Sequence, residues 1–247
     1  MPPPTHLRPE LPDRSAETRG RILDAALREF GAHGLAGART EQIAAAAGVN
    51  KALLYYYFES KEKLYVATLE AAALRVRESA MAVFALQATP GERVLRAALN
   101  HFDRILTQRE FQSLMQQEMI RLHKGERGAL AILAERIFAP LQHAFQAMVR
   151  EGMDSGELIE GDWLQMMLIG LGANVFYFLG APVWNMTLHF DPLSAQSLRA
   201  RRAALVEMLG QAVFRDRRHG AALARKVLID TPEPKFSDFK RFEGKKQ

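Results

Sequence analysis

The stretch Thr40-Glu41-Gln42-Ile43-Ala44-Ala45-Ala46-Ala47-Gly48-Val49-Asn50-Lys51-Ala52-Leu53-Leu54-Tyr55-Tyr56-Tyr57-Phe58 decides the fold. Thr40 is expected to cap a two-turn helix, whose alanines let a neighbour approach closely. Gly48 supplies a tight turn, because a positive φ costs glycine little. Asn50 then caps a second helix, with Val49 and Leu54 in the N′ and N4 positions of a hydrophobic staple. Leu54 and Phe58, at i and i+4, share the face to be buried. Lys51, Ala52, Leu53, Tyr55, Tyr56 and Tyr57 are left to line the other faces. Two short helices joined by a glycine turn, the second rich in outward tyrosines, describe a helix-turn-helix.

Upstream, Ser15 can cap a helix in which Leu23, Ala26, Leu27 and Phe30 recur at helical spacing up to Gly34. Downstream, a long helix starts at Ser60, and further helices are expected near 92–107, 110–122, 127–152, 162–180 and 193–215. The breaks fall at Lys124-Gly125, Asp154-Ser155-Gly156 and the loop from Pro182 to Pro192. No stretch sustains the alternation of a strand, so the fold class is all-α. The expected organisation is a flexible proline-rich arm over 1–14, a helix-turn-helix domain over 15–63 and a helical domain over 64–215. A basic tail over 216–247 follows, disordered apart from a helix at Ala221–Ile229.

The chain has 247 residues, 48% of them apolar and 25% charged, which suits a soluble globular protein. It has no cysteine, which excludes a disulfide scaffold, a thiolate metal site and a cysteine nucleophile. The first residues, Met1-Pro2-Pro3-Pro4-Thr5-His6, contain no apolar stretch of the secretory kind, and a cytoplasmic location is expected. Lys and Arg number 33 against 28 Asp and Glu, and the whole excess lies in Arg215–Gln247. Bulk charge therefore carries no argument for nucleic-acid binding, though the tail could add a sequence-independent attraction to phosphate. Between Asp162 and Asp191 there is no charged residue. Gln165, Asn174, three glycines and Pro182 argue against a membrane span there, so burial in a core or an interface is expected.

Residues Thr18–Leu64 resemble the DNA-binding domain of tetracycline-repressor-type (TetR/AcrR) regulators. The resemblance lies in Arg21-Ile22-Leu23-Asp24-Ala25-Ala26, Phe30-Gly31-Ala32-His33-Gly34, Thr40, Ile43-Ala44, Ala47-Gly48-Val49, Tyr55, Phe58, Ser60-Lys61-Glu62 and Leu64. It implies a homodimer on a palindromic double-stranded DNA operator, released when a small molecule enters the C-terminal domain. By the same resemblance Thr40, Tyr55 and Lys61 would contact phosphate. Ala52, Leu53, Tyr56 and Tyr57 would face the groove, and Asn50 and Lys51 complete the reading head. Leu53 departs from the small hydroxyl residue common in the family, and could pack on a thymine methyl.

Beyond the resemblance, Phe102, Met115, Met119, Phe145 and Tyr177 are soft and aromatic enough to line an effector cavity, though each also suits a plain core. Asn174, a lone amide in an apolar helix, needs a partner, from a ligand or an interface. Leu198, Leu205, Leu209 and Val213 form a stripe expected to join the charge-free helix in a two-fold interface. His101, His123 and His143, with Glu118 nearby, lack paired ligand spacing, so no metal site, cofactor or catalytic group is assigned. The function expected is a ligand-responsive repressor. The alternatives are a constitutive regulator or activator and, more remotely, a helical small-molecule-converting enzyme.

Overall fold

The computed structural model describes residues 14–126 and 128–234. Eleven α-helices account for nearly all of these, and the described residues contain no strand, only an isolated bridge between Leu158 and Phe214. They are α1 (Arg14–Gly37), α2 (Thr40–Ala47), α3 (Lys51–Phe58), α4 (Lys61–Phe84), α5 (Pro90–Thr107) and α6 (Arg109–His123). Then come α7 (Ala129–Leu133), α8 (Ala139–Asp154), α9 (Trp163–Leu188), α10 (Ala195–Ala212) and α11 (Arg217–Asp230). A π-helical turn, Ala134–Phe138, joins α7 to α8.

The described residues form two compact units, and their division does not follow the expected 63/64 boundary. One holds residues 14–73 together with Glu110–Leu130; the other holds Leu74–Arg109 and residues 131–234. The first is centred on Ile22, Phe30, Ile43, Leu54, Leu64 and Tyr65. Helix α6 lies close against α1 there: a Cβ on Gly31 would stand 2.8 Å from the Cβ of Glu110, and Ser113 Oγ donates to Gly31 O at 3.0 Å. In the second unit α5 is the central element, burying Val94, Leu95, Leu99, Phe102 and Leu106 against α8, α10 and α11.

Three expectations are corrected. The helix through the charge-free segment does not break at Pro182 but runs on to Leu188. An interior proline removes one backbone hydrogen bond and crowds the carbonyl four residues back, which can kink a helix without ending it. Within the tail expected to be largely disordered over 216–247, the described part up to 234 is mostly helical, since α11 begins at Arg217, earlier than the helix expected at Ala221. Asp216 Oδ1 caps it, accepting from the amides of Arg218 and His219 at 2.8 and 3.4 Å. Gly220 lets α11 lie against α10, for a Cβ there would stand 2.0 Å from Gly210 O. The basic excess is also partly spent, with Lys226 paired to Glu92 at 2.8 Å. The third correction is that Arg39 occupies the cap position of α2, with Thr40 its first helical residue. The arm over 1–13 and the tail beyond 234 lie outside the described residues.

Candidate functional site

Helix α3 is held by its ends. Asn50 Oδ1 accepts from the Leu53 amide at 2.7 Å, and Gly48 takes a left-handed φ of 68° that closes α2. Leu54 and Phe58 are buried beneath, with the Arg19 guanidinium over the Phe58 ring at 5.3 Å. What α3 presents is Lys51, Ala52, Leu53 and above all Tyr56, which is 79% exposed.

The remaining candidates of this region are engaged within the molecule. Thr40 is buried, and its hydroxyl lies 3.3 Å from that of half-buried Tyr55. Tyr57 donates to Ser15 Oγ at 3.2 Å, and Tyr56 meets its ring edge-on. Lys61 Nζ donates to Ala36 O at 3.2 Å. Lys51 pairs with Glu41, which holds the Glu41 carboxyl below its usual range through their hydrogen bond. That pair was not legible in the sequence, because its members sit on different helices. Both are exposed, so the pair is weak.

The six candidate effector residues divide between the units. Met115 is buried and Met119 exposed in the first. In the second, Phe102 tilts against Phe178 at 5.1 Å and Tyr177 at 6.5 Å, while Tyr177 donates to Pro192 O at 2.6 Å. Phe145 packs on Phe84. Asn174 is fully buried, and its Nδ2 donates to Ala98 O at 3.1 Å and meets His101 Nδ1 at 3.2 Å. Its Oδ1 has no partner. Burial, with Arg104 adding its charge, pulls the His101 pKa down from 6.5 to about 4. A groove of about 330 Å³ between α4, α5 and α8 is lined by Met81, Phe84, Arg93 and Met148 and includes none of the six.

The expected interface stripe is corrected outright. Leu198, Leu205, Leu209 and Val213 are buried in their own chain's core, against α5 and α11. Helix α9 behaves in the opposite way: only 11% of its most apolar stretch is buried. Leu168, Ile169, Phe176, Leu179 and Met186 are exposed along it, as is Met208 on α10. By length and composition α9 would suffice to cross a membrane, as the core or interface helix of a soluble protein also can.

Comparison with known proteins converges on the same region. Residues 22–68 match the family described as bacterial regulatory proteins, tetR family. The HTH-type transcriptional regulator BetI of Rhizobium meliloti is 42% identical over 76 residues, which is 31% of this chain and 37% of that protein. The chain spans about a third of the length of the curated relatives that it matches. Among solved structures, the transcriptional regulator SCO4942 from Streptomyces coelicolor aligns with a TM-score of 0.57 at 26% identity. That alignment covers 81% of this chain and 99% of the other. A transcriptional regulator from Saccharomonospora viridis, solved in complex with choline, aligns with a TM-score of 0.64 over 81% of this chain and 100% of its own. At 18% identity it shows the fold alone.

Proposed function

We propose that this chain, whose residues 22–68 match the tetR family of bacterial regulatory proteins, is a cytoplasmic, DNA-binding transcriptional regulator. Two copies would repress from a palindromic operator and leave it when a small organic effector binds. The observation that carries this is the presented face of α3. Ala52, Leu53 and Tyr56 project from a helix whose caps and core contacts are complete. Two such helices would enter successive major grooves about 34–36 Å apart, with Leu53 able to meet a thymine methyl. Thr40, Asn50, Tyr55, Tyr57 and Lys61 would mainly hold the head in shape, with their outer atoms and Lys51 meeting phosphate. The uncovered apolar face of α9, with Met208, would pair with its copy across the two-fold axis in place of the buried stripe.

Selection from a random duplex pool tests this. The expected result is an inverted repeat with a symmetric footprint. Tyr56→Ala should weaken binding about tenfold or more while leaving thermal stability unchanged, because its side chain is exposed. Failure to enrich any palindrome would overturn the proposal.

A further inference from the structure

In the second unit, His101 of α5 links two other polar side chains into a strip: it meets Asn174 of α9 at 3.2 Å, and the charge of Arg104, also on α5, acts on its ring. Arg104 is buried, and its guanidinium donates to the carbonyls of Arg75 at 3.1 Å and Val76 at 3.4 Å, and to Gln108 Oε1 at 2.8 Å. None of these is a carboxylate. The other arginines of α5 have one each: Arg93 pairs with Glu151 at 2.6 Å and Arg96 with Glu92 at 2.7 Å. On α10, Arg202 has Asp103 at 3.0 Å. A buried guanidinium satisfied only by neutral acceptors retains an uncompensated charge.

One turn before Arg104 comes His101, and beyond it Asn174. The Asn174 amide has a fixed orientation, because Ala98 O can only accept and so must face Nδ2. The same Nδ2 donates to His101 Nδ1, which places the imidazole proton on Nε2 and leaves the ring neutral. Asn174 Oδ1 is then a fully buried acceptor without a donor. The strip therefore offers an uncompensated positive charge, an N–H donor and an unpartnered acceptor within a few side chains.

We propose that this strip is the polar end of the effector site, and that it takes an organic anion carrying its own hydroxyl or N–H donor, a hydroxycarboxylate being the simplest case. This rests on the ligand-responsive reading above and names its ligand class. The anionic group answers Arg104 and the His101 Nε2–H, while the ligand's donor answers Asn174 Oδ1. A quaternary ammonium such as the choline held by the Saccharomonospora viridis regulator does not fit. Its hydroxyl could answer Asn174 Oδ1, but its charge has the same sign as Arg104 and it has no anionic group to meet that guanidinium.

The test uses the full chain with mandelate, salicylate and 3-hydroxydecanoate, each beside its methyl ester, and choline. At least one acid should raise the thermal midpoint by about 3 °C at millimolar concentration. The same acid should weaken operator binding about tenfold, its ester having a far smaller effect and choline none. Asn174→Leu should leave the midpoint of the unliganded protein unlowered while removing the acid's effect. The exposed Arg215→Gln should leave that effect intact. If Arg104→Met fails to fold, Asn174→Leu and His101→Gln carry the test. Esters or choline acting as well as acids would overturn the anion assignment, as would no acid acting at all, or Asn174→Leu destabilising the protein while keeping the acid's effect. Loss of operator binding altogether, or binding that no compound of any charge alters, would instead overturn the ligand-responsive reading.

Discussion

Two buried charges set the units of this molecule apart. In the unit built on α1, α2, α3 and α6, the fully buried carboxylate of Glu118 accepts from Tyr65 Oη at 3.0 Å, Arg121 at 2.8 Å and the Leu130 amide at 3.3 Å. In the other unit the buried guanidinium of Arg104 has hydrogen bonds but no counter-charge, and Asn174 Oδ1 has no partner at all. A complete network specifies one arrangement of the helices that share it. An incomplete one leaves a second arrangement, or a ligand, something to gain. On the function proposed, a DNA-reading head would need the first property and an effector site the second.

The largest expected effect breaks the complete network. Glu118→Ala strands the Tyr65 hydroxyl and the Leu130 amide, each at about 1–3 kcal/mol, while Arg121 keeps Glu126 at 2.8 Å, so the change should cost about 3–5 kcal/mol in chemical denaturation. Burial is the first reason the Tyr65 hydroxyl pKa is pushed up, ahead of the Glu118 charge, and it persists when Glu118 is gone, so that group cannot relieve itself by ionising. A loss under 1 kcal/mol would mean that the two units do not differ in the way described.

Next comes the distinction between core and interface in the second unit. Leu205 is 3% exposed, and Leu205→Ala should cost about 2–5 kcal/mol through the cavity it leaves. Phe176 is 61% exposed, and Phe176→Glu should instead yield a folded monomer in sedimentation. If both changes gave the same folded monomer, the stripe on α10 would be an interface after all.

Acid sharpens the comparison further. The unfolded chain protonates His101 near 6.5, whereas the folded chain resists until about 4. Between those values the unfolded state binds more protons, so stability falls as pH falls through this window. The difference between the native chain and His101→Gln should reach about 1–2 kcal/mol by about pH 5, above the range where most carboxylates titrate. Identical pH profiles would place the imidazole in contact with water.

The helix-turn-helix was legible because its determinants are local. Gly48, Asn50, Leu54 and Phe58 lie within eleven residues, and each acts on the backbone beside it. The stripe Leu198, Leu205, Leu209 and Val213 was legible as a face to be buried, but periodicity does not say against what. Its own α5 and α11 met it first. Pro182 read as a break because a proline weakens any helix, yet the turns on either side of it hold. Asn174 stood out as a lone amide, but His101 and Ala98 lie more than seventy residues away and no spacing rule reaches them. Arg104 was missed for a related reason. A missing carboxylate is a property of the packed interior, not of the chain around it.

The smallest expected effect concerns α11, where a helix replaces the expected tail. Asp216 satisfies two amides at its start, and the helix buries Ala224 and Val227 against the core. Removing a cap of this kind costs about 1 kcal/mol, so Asp216→Ala should lower the thermal midpoint by a few degrees. Because tertiary contacts hold the helix from Gly220 onward, the amides before Gly220 should lose hydrogen-exchange protection while that of Val227 keeps it. The pattern separates a docked helix from a solvated basic segment. In a solvated segment the aspartate would cap nothing, and its loss would change neither the midpoint nor the exchange. Uniform fast exchange across residues 217–230 in the unaltered chain would remove α11 from the second unit, and with it the partner that keeps Leu209 and Val213 from solvent.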